Sequence, residues 1–413
     1  MQPSDRHRRG RQRRVQGGSL SGTNLQRAAD YNQRVTLEAI RVNGPITRVD
    51  LAGITGLTAP AIANITQRLL DEGLIMKVGR VHGRRGQPAV RLAIDPDGCF
   101  SIGVNIDRDH ITVVALDLTG QVRARVTEEI DFAMPDTVSA FFRHVVEDLL
   151  ESRKVVRERL VGIGVALPDD LGSVDLPHRP PSYTVWNTVD VSRLFSGVLP
   201  LPVFVENDAA AAAIGELHFG HGVRSPSFFY ILISAALGGG LVIDGSYFRG
   251  ADGRSGEIGF LPVHSRKTHA RTLQEVVSLS ALYARLAAGG YKVSRPDQLE
   301  ALDPQGQERV EQWIDESAGF LTDPLLAISC LVNPKAVFLG GRLPARWLDR
   351  LAERLNQRLR RRAGDVPAVA PVLRAAMATD APAIGAAILP LSERLLPSRT
   401  ALMKSLQDHA PGS

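Results

Sequence analysis

Between Asn24 and Ile94 the hydrophobic positions trace three helical stretches and then two strand-like ones. Asn24–Val42 spaces Leu25, Ala28, Ala29, Val35, Leu37 and Ile40 along one helical stripe. Thr47 is placed to cap a second helix, Arg48–Ile54, with Asp50 completing a capping-box pattern and Leu51 and Ile54 forming the inner face. Gly56 ends it. Thr58 caps a third helix with Pro60 in the first turn, where a missing N–H costs nothing, and Ile62, Ile65, Thr66 and Leu69 share one side. After Gly73 the period shortens to that of a strand, Leu74–Val78, followed by a glycine-bracketed loop, Gly79–Gly86, and a second strand, Ala89–Ile94.

Helix, turn, helix and basic hairpin in that order read as a winged helix-turn-helix. The third helix, opening at Thr58, turns Pro60, Asn64, Gln67 and Arg68 away from its apolar side, short or polar groups suited to the major groove of double-stranded operator DNA. Arg80, Arg84 and Arg85 in the hairpin loop would reach phosphates or the minor groove, contacts that position a protein without specifying sequence. The bland alternative is a small helical domain with a basic surface loop. Charge favours the DNA reader: residues 1–98 hold 16 Lys and Arg against 8 Asp and Glu, while the remainder holds 33 against 36. Residues 1–22 carry six arginines among Gly and Ser and are expected to be a disordered basic arm.

From about Phe100 the pattern changes. Three strands, SIGVNI, ITVVALDL and QVRARVTEEI, precede a helix, Thr137–Ser152, and an apolar strand, LVGIGVAL, which together predict an α/β mixed sheet covered by helices. Asp169–Leu199 is polar and proline-bearing, with Trp186 and Asn187 expected in a loop. LPVFVENDAAAAAIGEL then reads as a strand running into a helix, with Glu206, Asn207 and Asp208 at the strand end, where α/β folds place ligand chemistry. FFYILISAALGGGLVIDG is expected to form a glycine-centred hairpin. The last third is mainly helical, broken by a strand at KAVFLGG and closing with the small-residue helix DAPAIGAAILPL.

Composition narrows the class. With 413 residues, 44% hydrophobic, the chain can fill two or three domain cores. Two distant cysteines, Cys99 and Cys330, indicate neither a disulfide framework nor a cysteine metal site, and point to a reducing cytoplasm. The longest uncharged run, Ser225–Ile243, contains Pro226 and the Gly238–Gly240 triplet, which argue for strands and a turn rather than a membrane span, and the N-terminus lacks the apolar core of a signal peptide.

VENDAAAAAIGE, ALGGGLVIDGSYFRGADGRSGEIG and VNPKAVFLGG, with the winged helix joined directly to SIGVNI, resemble the ROK family (repressor, open reading frame, kinase) over roughly Asn24–Leu391. The resemblance implies a two-lobed actin-like ATPase fold with a sugar in the cleft, and a fused reader of the kind family regulators carry. In family kinases a DIGGTK turn cradles ATP phosphates; here the aligned stretch is Asn105-Ile106-Asp107-Arg108-Asp109-His110. A second phosphate loop, GTGIGGG in kinases, reads Ser234-Ala-Ala-Leu-Gly-Gly-Gly240. Losing both argues against an enzyme, because phosphoryl transfer depends on positioning and neutralising those phosphates. Asp208 matches the kinase catalytic base and is expected instead to bind a ligand hydroxyl, with Asn207 and Glu257 beside it. Phe260 stands for the His, and HSRKTHARTLQ for the cysteine cluster, that bind zinc in relatives, so no metal is expected; Gln274 stands for a sugar-binding Glu. No cofactor is expected.

The sequence thus predicts a disordered arm (1–22), a winged helix-turn-helix (23–97), a ROK-type sugar-sensing and dimerising domain (98–400) and a polar tail (401–413). Its function is expected to be a cytoplasmic DNA-binding regulator, chiefly a repressor of carbohydrate genes, that responds to a sugar or sugar derivative and works as a homodimer or homotetramer, because a palindromic operator needs two readers. A ROK sugar kinase with an appended DNA-binding domain and a ligand-independent architectural protein are the alternatives.

Overall fold

In a computed structural model, residues 25–81, 89–169, 171–173, 179–263, 270–378 and 380–397 are described. The basic arm, the C-terminal tail, Arg84 and Arg85, and the loop holding His264 and His269 lie outside them.

The reader is built from α1 (Leu25–Asn43), β1 (Ile46–Thr47), α2 (Arg48–Thr55), α3 (Ala59–Asp71), β2 (Ile75–Val81) and β3 (Ala89–Ile94). Thr47 and Asp50 form the expected capping box, and Gly56 closes α2 at φ 69°, a left-handed conformation that glycine adopts without a Cβ penalty. Thr58 caps α3 by accepting from the Ala61 N–H. Leu51, Ile62, Thr66 and Leu69 are buried, and each large apolar side chain so buried contributes roughly 1.5–3 kcal/mol. Ile54 is not inward-facing: it is 56% exposed, near the end of an eight-residue helix whose buried side chain is Leu51. The wing also differs from expectation. β2 continues through Gly79 and Arg80 to Val81, with a bulge between Lys77 and Arg80, and β1 adds a third strand in the order β1-β3-β2.

Two five-stranded sheets follow. The first contains β4 (Phe100–Ile106), β5 (His110–Asp117), β6 (Val122–Glu129), β7 (Leu160–Leu167) and β8 (Val203–Asn207) in the order β6-β5-β4-β7-β8, antiparallel among β4, β5 and β6 and parallel from β4 to β8. α4 (Pro135–Glu151) and α5 (Val191–Ser196) cover one face through Phe142 and Phe195, whose rings meet edge to face at 4.8 Å. Trp186 and Asn187 are not in a loop. They close a 3-10 helix, Pro181–Asn187, where Trp186 is buried and its indole N–H donates to the Ala133 carbonyl at 3.0 Å.

α6 (Asp208–Phe219) leaves the end of β8 and crosses to the second sheet, β9 (Phe228–Ile233), β10 (Leu237–Ile243), β11 (Ser246–Tyr247), β12 (Ala336–Gly341) and β13 (Val372–Arg374), ordered β11-β10-β9-β12-β13. The β9–β10 hairpin turns at Ser234–Ala236, so Gly238–Gly240 lie within β10 and not at its turn. Their role is proximity: a Cβ on Gly238 would stand 2.9 Å from the Ala209 methyl, and one on Gly240 2.7 Å from that of Ala213. The alanine face of α6 can therefore lie directly on the strand. α7 (Leu279–Ala288), α8 (Pro304–Leu331) and α9 (Ala345–Arg361) pack on this second lobe, and α10 (Ala381–Arg394) returns to the first, against β4, β7 and α6. Cys99 is buried, Cys330 is exposed and both are free. No helix among the described residues is long and apolar enough to cross a membrane.

The reader shares a core with the first lobe. Leu37 and Ile40 of α1 belong to one apolar cluster with Ile384, Ile388 and Leu391 of α10, and Phe219 at the end of α6 packs on it. Arg41 donates to the His218 carbonyl at 3.2 Å and lays its guanidinium over the Phe219 ring at 4.7 Å, while Arg34 donates to the Glu393 carbonyl at 2.8 Å.

Candidate effector cleft and DNA-reading face

At the start of α6, Asn207 is the N-cap: its side-chain oxygen accepts from the N–H groups of Ala209 and Ala210 at 2.9 and 3.1 Å. That leaves its amide N–H₂ for a ligand. Asp208, the first helical residue, is buried, and burial, then the nearby Asp107 carboxylate, push its carboxyl up to about 7, against the pull of Arg108 and the Ala209 N–H. Near neutral pH it can therefore act as acceptor or, protonated, as donor.

Asn207, Asp208, Glu257 and Gln274, far apart in sequence, line a single narrow cleft that opens to solvent, with the exposed Phe260 ring among its lining. Gly256, at φ 82°, lets the loop turn Glu257 inward, and a Cβ there would meet the Gly239 carbonyl at 2.7 Å. Glu257 is half-buried and accepts from Arg254 at 2.9 Å, and Arg254 also approaches Asp169 at 3.7 Å. Amides, carboxylates and one aromatic face suit a polyhydroxy ligand, since each amide or carboxylate can pair with vicinal hydroxyls and a ring packs on their C–H face. Arg108 also lines the cleft. Sequence reading noted it only as a lost glycine; the signal was present, a long cation in a turn aligned with a phosphate loop.

A second, larger cleft lies on the other side of that turn, among Asn105, Asp107, His110, Arg125, Gly341 and Arg342. Asp107, Asp109 and His110 bring their ligand-capable atoms within 4.8 Å of one another, but these groups already have partners. Asp109 binds the His110 ring at 2.6 Å and accepts from Arg342 at 2.9 Å; these contacts outweigh its burial and hold its carboxyl below the usual range. Arg342 reaches Glu129 as well. Rooted after β12 in the second lobe, its guanidinium spans to the first and provides the positive charge that the acidic turn needs. Sequence reading did not identify this residue.

On the reader, Thr58, Pro60, Asn64, Gln67 and Arg68 are exposed along α3, and Arg80 is exposed on β2. Gln67 donates to Asp71 at 2.8 Å, and Arg68 is paired with Glu72 at 2.9 Å, which also accepts from Gln33 of α1. These surface bonds are weak enough to be exchanged for DNA contacts.

Comparison with known proteins decides the family. The ROK family profile matches residues 101–393, and one for winged helix-turn-helix DNA-binding domains matches 30–76. The chain belongs to the ROK family. It is 30% identical over 362 residues to protein y4fQ of Sinorhizobium fredii, covering 87% of this chain and 90% of that protein. It is 27% identical over 235 residues to the xylose repressor of Bacillus spizizenii, a match spanning 56% of this chain and 60% of the repressor. Among solved structures, a ROK family transcriptional regulator described as a homolog of the E. coli MLC protein superposes with a TM-score of 0.65 at 23% identity, covering 89% of this chain and 98% of the other, and so shares its fold. The ROK architecture with an N-terminal winged helix-turn-helix thus stands as the sequence implied.

Proposed function

We propose that this ROK protein is a DNA-binding transcriptional repressor whose cleft binds a sugar or sugar derivative through Asn207, Asp208, Glu257 and Gln274. The observation that carries the reading is α6: its first residues line the cleft and its last, His218 and Phe219, hold Arg41 of the reader, about 18 Å along a 12-residue helix. The xylose repressor match supports the same direction. A ligand that binds one arrangement of the lobes more tightly shifts the population of reader positions by its differential affinity. The working unit is a cytoplasmic homodimer or homotetramer, since two readers are required to span a palindrome.

For DNA contact, Thr58, Pro60, Asn64, Gln67, Arg68 and Arg80 are the proposed groups within the described residues, and Arg84 and Arg85 follow from the sequence of the wing. With operator fragments selected from random DNA, Arg84→Ala with Arg85→Ala is expected to weaken binding to every sequence and to flatten the salt slope by about one to two units. Asn64→Ala is expected instead to relax base preference at particular positions while the salt slope holds. Unchanged preference and unchanged slope across these variants would place DNA contact elsewhere.

Phosphoryl transfer is not part of the proposal. Asp107, Arg108 and Asp109 occupy the turn that cradles phosphates in kinases, and Arg342 is already bound there to Asp109 and Glu129. Calorimetry at millimolar ATP with magnesium is expected to give no binding heat, and a coupled assay over a hexose panel no ADP. Turnover of any hexose would reinstate the kinase reading.

A further inference from the structure

Arg108 is a long cation folded into the protein beside a cleft meant for a ligand. Its side chain is 5% exposed, yet among the described residues its Nε has no hydrogen-bond partner, and its one side-chain hydrogen bond there is a stretched 3.4 Å contact from Nη1 to Asp107. The Asp107 carboxylate is partly spent on the Arg108 backbone N–H at 2.8 Å, a better-placed donor. A buried guanidinium normally closes a two-pronged pair with a carboxylate, because an unsatisfied buried donor is costly. The other arginine lining the cleft, Arg254, has its partners in Glu257 and Asp169. Arg108 thus keeps unused donor capacity at the floor of the cleft, with Asp208 as its neighbour.

The position is fixed from several sides. Asp107 N–H donates to the His110 carbonyl at 3.0 Å, and the Arg108 carbonyl accepts from the Phe132 N–H at 2.7 Å, so the turn that carries Arg108 is tied at both ends to the sheet. A rigidly held, under-satisfied guanidinium at the base of a polyhydroxy-binding cleft is suited to a planar or tetrahedral oxyanion on the ligand, for which arginine's fork is preorganised.

We infer that the effector is an anionic sugar, carrying a phosphate ester or a carboxylate that pairs with Arg108 while its hydroxyls meet Asn207, Asp208, Glu257 and Gln274. This rests on the sugar-effector reading above and specifies its ligand class. Asp208 helps rather than hinders: with its carboxyl held near 7, it carries a proton for much of the time at neutral pH and can donate to the oxyanion beside Arg108. Asp107 stays behind the guanidinium as its rear counter-charge.

The test uses the full-length protein and calorimetry at pH 7 with glucose, mannose, galactose and N-acetylglucosamine, each as free sugar and as 6-phosphate, and with glucuronate and galacturonate as the carboxylate arm. At least one anionic member is expected to bind ten- to a hundredfold tighter than its neutral parent, and the arm in which it falls tells phosphate from carboxylate. Arg108→Gln is expected to weaken the anionic member more than its neutral parent, reducing that preference to within about threefold, with Arg108→Lys in between, since lysine keeps the charge but loses the fork. A neutral sugar binding as tightly as its anionic forms would overturn the assignment and leave the sugar-effector reading intact. Equal loss for both classes in Arg108→Gln would also overturn it, marking Arg108 as structural. Absence of binding across the whole panel would count against the sugar-effector reading itself, and with it this assignment.

Discussion

Replacing Asp208 with Ala is expected to weaken effector binding by tenfold or more and to leave operator affinity without effector within about twofold. Asp208 is buried at the start of α6, where among the described residues the Ala209 N–H is its one hydrogen-bond donor, and it lines the cleft. Losing a hydrogen bond that involves a charged group costs about 1.5–3 kcal/mol, which sets the tenfold floor. The helix itself is not at risk, because Asn207 still caps α6. Calorimetry and operator titration on the same preparation separate the two effects. An unaltered effector response would move the ligand site away from α6.

The same residue gives a pH signature. Its folded value, about 7, lies above the 3.8 of an ordinary Asp, so the folded state holds a proton that the unfolded state has released. The stabilisation from that proton is complete below about pH 4 and is lost as pH rises through 7. Asp208→Asn removes this dependence. It is expected to melt higher than the wild type at pH 8, by an amount worth at most a few kcal/mol, with the gap closing toward pH 5. A gap that does not change with pH would mean that Asp208 is ionised throughout. Melting is read without ligand, since effector binding would stabilise the wild type alone.

The second large effect is expected at Gly385. α10 and α6 cross so closely that a Cβ on Gly385 would stand 1.7 Å from the Ala211 carbonyl oxygen, and one on the facing Gly215 would stand 3.3 Å from the Gly385 Cα. Neither obstacle is a flexible side chain. Gly385→Val must force the helices apart, and overpacking on this scale costs roughly 3 kcal/mol or more. Thermal melting should show a fall of several degrees, with loss of effector response even where the protein remains folded, because the α6 N-terminus moves with the helix. Gly364→Ala, at a position with open space around it, serves as the matched control and is expected to leave both readings unchanged.

Where sequence reading succeeded, the cause was local. Thr47 and Asp50 satisfy each other's backbone groups across one turn, so the capping box was legible in four residues. The strand-to-helix junction at Asn207 and Asp208 was legible for a similar reason, a polar pair between an apolar strand and an alanine helix. Glu257 and Gln274 came through the family resemblance. Ile54 was misplaced because a period in a short helix does not say where the neighbouring helix ends. Gly238–Gly240 were assigned to a turn because glycine serves both turns and close approach, and only tertiary contact with Ala209 and Ala213 distinguishes them. Arg342 could not be foreseen, since its partners Asp109 and Glu129 lie more than two hundred residues away.

The join between reader and lobe bears on how such a protein could be recombined. Leu37 and Ile40 of α1 are buried with Ile384 and Ile388 of α10, and Arg41 is clamped to the end of α6. A foreign DNA-binding segment spliced in at Gly98 would inherit the tether without this seat, and its orientation would no longer follow the cleft. Exchange of operator specificity is therefore expected to have a narrower unit than the domain: on the proposed DNA contacts, the outer face of α3 and the wing should be open to rewriting, provided that the inner face of α1 stays. A chimera keeping Arg34, Leu37, Ile40 and Arg41 should remain inducible, while one that replaces them should bind its new operator regardless of effector.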